Sequence, residues 1–144
     1  MDYQGLHILY WMLLCAALWF NRACWPTFAL SVIVGVSVLA PVPWGDTPTI
    51  WYFKCLVIEL GVVIGALAAR SPASHGVIMF TGLLSVVHLI GAWVGPAEGL
   101  GPYKLTIPFF EAGSLLTCVL FSADGLKLIE RRRIAVRTQK DSHA

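Results

Sequence analysis

Three ionisable side chains, Glu59, His88 and Glu111, lie inside apolar runs where each needs a partner or a purpose. On insertion scales a charged side chain at the centre of a membrane helix costs about 2.5–3.5 kcal/mol. Glu59 falls near the middle of one run, and His88 near the middle of the next, approached from the opposite side. A carboxyl and an imidazole at one depth on neighbouring helices can relay a proton or line a pore. They can equally be a neutral, hydrogen-bonded pin between two helices. Thr81, Ser85, His88 and Ala92 recur at i, i+4, i+7 and i+11, which is one helical face. Glu111, Ser114, Cys118 and Ser122 repeat the pattern further on. Pro108 reads as a helix start, which puts Glu111 in a first turn, where the helix dipole favours a carboxylate. Such stripes serve either helix packing or a hydrated path.

Glu59 belongs to the longest run, PTIWYFKCLVIELGVVIGALAA, residues 48–69. At about 1.5 Å per residue it extends roughly 33 Å, the thickness of a bilayer's hydrocarbon core. Thr47-Pro48 is a helix start, with Thr47 as N-cap. Arg70-Ser71-Pro72 ends the run with a cation and a breaker. Gly61, Gly65 and Ala69 form a small-residue face suited to close helix contact, including contact with a second copy. Four more segments are expected at about residues 5–20, 27–42, 77–94 and 105–123. The first two can also be read as a re-entrant hairpin. Pro/Gly-rich connections at 41–46, 71–76 and 95–102 separate the others.

Of the 144 residues, 58% are hydrophobic and 12% charged, and the mean hydropathy is +0.75. Soluble domains are about 45–50% apolar and about 25% charged, so the chain lies outside their range on both counts. The expected fold is an all-α integral membrane protein, a bundle of about five transmembrane helices over residues 1–125 with a basic tail over 126–144. Lys127, Arg131, Arg132, Arg133, Arg137 and Lys140 place that tail in the cytoplasm under the positive-inside rule. Arg22 and Arg70 then fall on the same side as topology anchors near lipid headgroups, giving N-out, C-in in the inner membrane. Lys54 and Lys104 are the exceptions, near the outer boundary. Tyr3, Trp44, Trp51, Tyr52, Trp93 and Tyr103 cluster at one interface, and Trp19 and Trp25 at the other. The tail reads as a stop-transfer anchor or as a basic amphipathic helix on the inner leaflet. The first run has no preceding Lys or Arg and no A-x-A pattern after it, so it does not read as a removable signal.

No HExxH, P-loop, GxSxG or loop-borne pair of aspartates is present, so no enzymatic activity is expected. Cys15, Cys24, Cys55 and Cys118 are scattered and read as small buried hydrophobes, with no metal site. No cofactor is expected, since His7 and His88 do not match as a haem pair. A nucleic-acid partner is not expected either. The expectation is a small homo-oligomeric pore, channel or permeability protein, with Glu59, His88 and Glu111, and with them Thr81, Ser85 and Ser114, along its path. In size, short loops and charged tail this character resembles that of phage holins, without a matching motif. The alternative is a non-catalytic accessory subunit that docks on another membrane protein.

Overall fold

The computed structural model describes residues 3–40, 47–94 and 100–122. Among these residues there are five α-helices and no strand: α1 (Tyr3–Asn21), α2 (Trp25–Leu39), α3 (Pro48–Ala69), α4 (Ser74–Val94) and α5 (Leu100–Leu120). The basic tail, including Lys127, Arg131, Arg132, Arg133 and Arg137, lies outside the described residues, as do the connections 41–46 and 95–99.

Local chemistry sets the helix ends. α3 opens where Thr47 Oγ1 accepts from the Ile50 N–H at 3.4 Å, with Pro48 in the first turn. It closes on Arg70 at φ 48°, ψ 34°, a left-handed C-cap that glycine usually occupies. α4 starts earlier than the expected residue 77, because the Ser71 and Ser74 hydroxyls accept from backbone N–H groups of the turn that precedes it. Ser71 Oγ accepts from the Ala73 N–H at 3.1 Å, and Ser74 Oγ accepts from the Ser71 N–H at 2.9 Å. α5 also starts earlier, at Leu100, so Pro108 lies inside it and Glu111 is not in a first turn. The dipole argument for Glu111 therefore does not apply. Pro108 has no N–H, so one ladder hydrogen bond is missing, a gap that helices tolerate when neighbours pack around them.

Successive helices run antiparallel. Leu14 packs against Gly35, Ile33 against Gly65, Thr27 meets Ser71, Tyr52 lies on Gly91, and Phe80 and Thr117 pack against Gly113 and Gly76. α1 and α5 run parallel, joined by Tyr10–Glu111 at one level and Asn21–Cys118 at another. Contacts α1–α2, α2–α3, α3–α4, α4–α5 and α5–α1 thus close a ring, and α2 also touches α5. The apolar core comprises Leu14, Ala17, Leu30, Val34, Val62, Ala66, Val77 and Leu115.

Polarity is distributed inside-out. Asn21, Thr27, Ser31, Glu59, Ser71, Ser74, Thr81, His88, Ser114, Thr117 and Ser122 are all buried. Ile8, Trp11, Met12, Phe53, Val57, Leu60, Ile64, Leu67, Val86, Leu89 and Trp93 are exposed. Two stretches, Thr49–Ala69 in α3 and Ser74–Trp93 in α4, are long and apolar enough to cross a membrane.

Candidate functional site

The interior holds two polar layers. In the first, α3 delivers Glu59 and α4 delivers His88, and Glu59 Oε1 is hydrogen-bonded to His88 Nδ1. Both residues lie on the inward stripes of their helices, Tyr52-Cys55-Glu59-Val62-Ala66 and Val77-Thr81-Leu84-His88-Gly91, so antiparallel packing sets them side by side. Glu59 is 5% exposed and His88 3%. The other two polar atoms of the pair, Glu59 Oε2 and His88 Nε2, are buried without a hydrogen-bond partner.

Glu111, on α5, accepts a 2.6 Å hydrogen bond from Tyr10 Oη of α1. It is close enough to Glu59 and His88 to interact with both electrostatically. Cys55, a turn before Glu59 and buried, feels both carboxyls. One interior region therefore gathers two carboxyls, an imidazole, a phenol and a thiol from four helices.

The second layer lies at the end of the bundle where α1, α3 and α5 finish. Asn21 is fully buried, and its Nδ2 donates to the carbonyls of Ala17 and Cys118, each at 2.8 Å. Its Oδ1 has no partner. Thr27 Oγ1 and Ser71 Oγ are 2.8 Å apart, tying α2 to the α3–α4 connection.

The stripes expected to line a path point inward, but the hydroxyls of Ser85 and Ser114, and of Thr117 beside them, turn back into their own helices. Ser85 Oγ donates to Thr81 O at 2.9 Å, Ser114 Oγ to Phe110 O at 3.1 Å, and Thr117 Oγ1 to Gly113 O at 2.8 Å. Each still offers its oxygen as an acceptor. On α3, Gly65 faces Ile33 of α2, and Ala69 packs on the core, while nothing lies within 4 Å of a Cβ built on Gly61. Arg22 and Arg70 are exposed, and the Arg22 guanidinium sits 4.5 Å from the centroid of the Trp19 ring. Tyr52, expected among interfacial aromatics, is buried within the bundle at 4% exposure, its ring seated against Gly91.

Comparisons with family models, curated proteins and solved structures returned no match. Chemistry alone must carry the reading. Their hydrogen bond, between Glu59 and His88, admits two forms: Nδ1–H donating to a carboxylate, or a carboxylic acid donating to Nδ1. The arrangement is suited to holding and handing on a proton. Among the described residues, no group of three or more His, Cys, Asp or Glu is placed to hold a metal.

Tyr10 and Asn21 are the participants that sequence reasoning passes over. Their signal is present: Tyr10, Leu14, Ala17 and Asn21 recur at i, i+4, i+7 and i+11, the spacing of the α4 stripe.

Proposed function

We propose that this protein is a small inner-membrane permeability protein, its five helices all crossing the bilayer, that passes protons through its own interior. The observation that carries the reading is the buried Glu59–His88 pair with Oε2 and Nε2 unpartnered. Buried polar groups ordinarily find partners, and orphaned ones at a titratable pair suit transient donors such as water or a hydrated proton. Glu111 and Tyr10 extend the set toward α1 and α5.

Membrane residence is supported by the apolar exterior around a polar interior, the reverse of what water favours. Orientation is supported by charge. Arg22 and Arg70 share the end of the bundle at which α1, α3 and α5 finish, where exposed Trp19 and Trp25 also sit. In the sequence the tail cations come after α5, which finishes at that same end, and by the positive-inside rule this end is cytoplasmic. The polar groups are enclosed by one chain, which favours a path through each protomer over a path between copies.

Purified protein in vesicles with an internal pH-sensitive dye tests the reading. An imposed gradient should collapse with wild type and persist with Glu59→Gln and His88→Ala at equal reconstitution. Wild-type vesicles as tight as protein-free ones would overturn it. The accessory-subunit reading then takes its place, supported by the hydroxyls that bond back into their own helices and by the open position at Gly61. Its signature would be co-purification with a defined membrane partner.

A further inference from the structure

We propose that Trp51 and Tyr52 form an aromatic lid over His88, limiting access to its imidazole from the end of the bundle where α3 begins. The proposal rests on the proton-handling reading and names how that site is controlled.

The Trp51 ring lies 5.8 Å from the His88 ring and nearly perpendicular to it, at 82°. The Tyr52 ring lies 5.9 Å from it, tilted by 49°. Trp51 and Tyr52 are 5.2 Å apart at 71°, so the two rings meet edge to face as one continuous cover. Both belong to the start of α3, two turns before Glu59, and therefore lie on the side of His88 toward that end.

The cover has a purpose-made seat. A Cβ on Gly91 would come within 2.7 Å of Tyr52 Cε1 and Cζ, so the ring lies against α4 only because residue 91 lacks one. Gly91 follows His88 by about one turn, which sets the Tyr52 ring between the imidazole and the C-terminal end of α4. Beyond the rings, the titratable groups facing His88 are Glu59 of α3 and Glu111 of α5, with Cys55 beside the two carboxyls. The two rings thus stand against the imidazole on the side toward this end of the bundle.

Labelling with diethyl pyrocarbonate tests the lid on the full chain in detergent micelles, read residue by residue by mass spectrometry. His75, exposed in the first turn of α4, is the internal reference. Wild-type His88 should label far more slowly than His75. Trp51→Ala and Tyr52→Ala should each speed His88 labelling roughly tenfold or more, as loss of a large packed side chain loosens its site. Trp51→Phe should stay near wild type. Should the alanine variants fail to fold by circular dichroism, Gly91→Ala serves instead. It lifts the Tyr52 ring without deleting packing, and faster His88 labelling is again expected.

His88 labelling that is indifferent to these changes overturns the lid. Because labelling needs no proton flux, the two proposals fail separately. Tight wild-type vesicles with lid-dependent labelling sink the relay alone. Leaky vesicles with lid-independent labelling sink the lid alone.

Discussion

Replacing Glu59 and His88 by leucine, singly and together, separates what the pair does for the fold from what it does for protons. In Glu59→Leu, His88 loses its hydrogen bond and keeps two buried nitrogens without partners, since Nε2 already lacks one. A lost hydrogen bond is worth about 1 kcal/mol, and a buried polar group left unsatisfied about 1–3 kcal/mol, so the variant should lose about 2–4 kcal/mol. His88→Leu strands the Glu59 carboxyl in the same way and should cost a similar amount. The double variant leaves nothing stranded, and an apolar pair of similar volume is often neutral relative to a buried ionic one, so it should lie within about 1 kcal/mol of wild type. With the double variant near zero, the two single losses add up to a coupling energy of about 4–8 kcal/mol, above the roughly 0.6 kcal/mol average for hydrogen bonds between membrane helices. The excess is expected because both residues are almost sealed from solvent. Reversible unfolding in mixed micelles, followed by circular dichroism and tryptophan fluorescence, measures all four corners. The same double variant should be folded and unable to collapse a proton gradient. Single losses that simply add, with coupling below about 0.5 kcal/mol, would refute the reasoning that stranded polar atoms dominate the cost.

Three further perturbations probe the frame around the pair. Tyr10→Phe removes the 2.6 Å donor to Glu111 and should destabilise by about 1–2 kcal/mol in the same unfolding assay. Asn21→Leu abolishes the bond to Ala17 O within α1 and the bond to Cys118 O that joins α1 to α5, and a drop of about 2–3 kcal/mol is expected, visible as an earlier unfolding midpoint. Arg70→Gly relieves the left-handed backbone at φ 48° and should raise stability by about 1 kcal/mol, whereas Arg70→Ala should not.

The helices were legible because each apolar run is long and bounded by breakers, and α3 agrees end to end with its Thr47-Pro48 start and Arg70 stop. The similar depth of Glu59 and His88 was legible but their contact was not, since it depends on which faces of α3 and α4 meet. Glu111 was misplaced for a physical reason. Pro108 resembles a first-turn residue in isolation, and only packing from α1 and α4 lets a helix run through it. Tyr10 went unread because a tyrosine in an apolar helix carries no charge to explain, and its partner lies 101 residues away. Tyr52 looked interfacial by type. Its burial depends on the missing Cβ of Gly91, which is a fact about two helices and not about one.

The parallel closure of α1 against α5 sets an order of events during synthesis. Tyr10 and Asn21 find their partners on the last helix, 101 and 97 residues later in the chain. At about 5–20 residues per second, the first helix waits on the order of 5–20 s after its emergence before the ring can shut. During that interval Asn21 has the carbonyl of Ala17 within its own helix as a provisional acceptor. Tyr10 meets its Glu111 acceptor only when the last helix arrives. A ribosome stalled before α5 should therefore hold a ring with one open seam, between the first helix and the place reserved for the last.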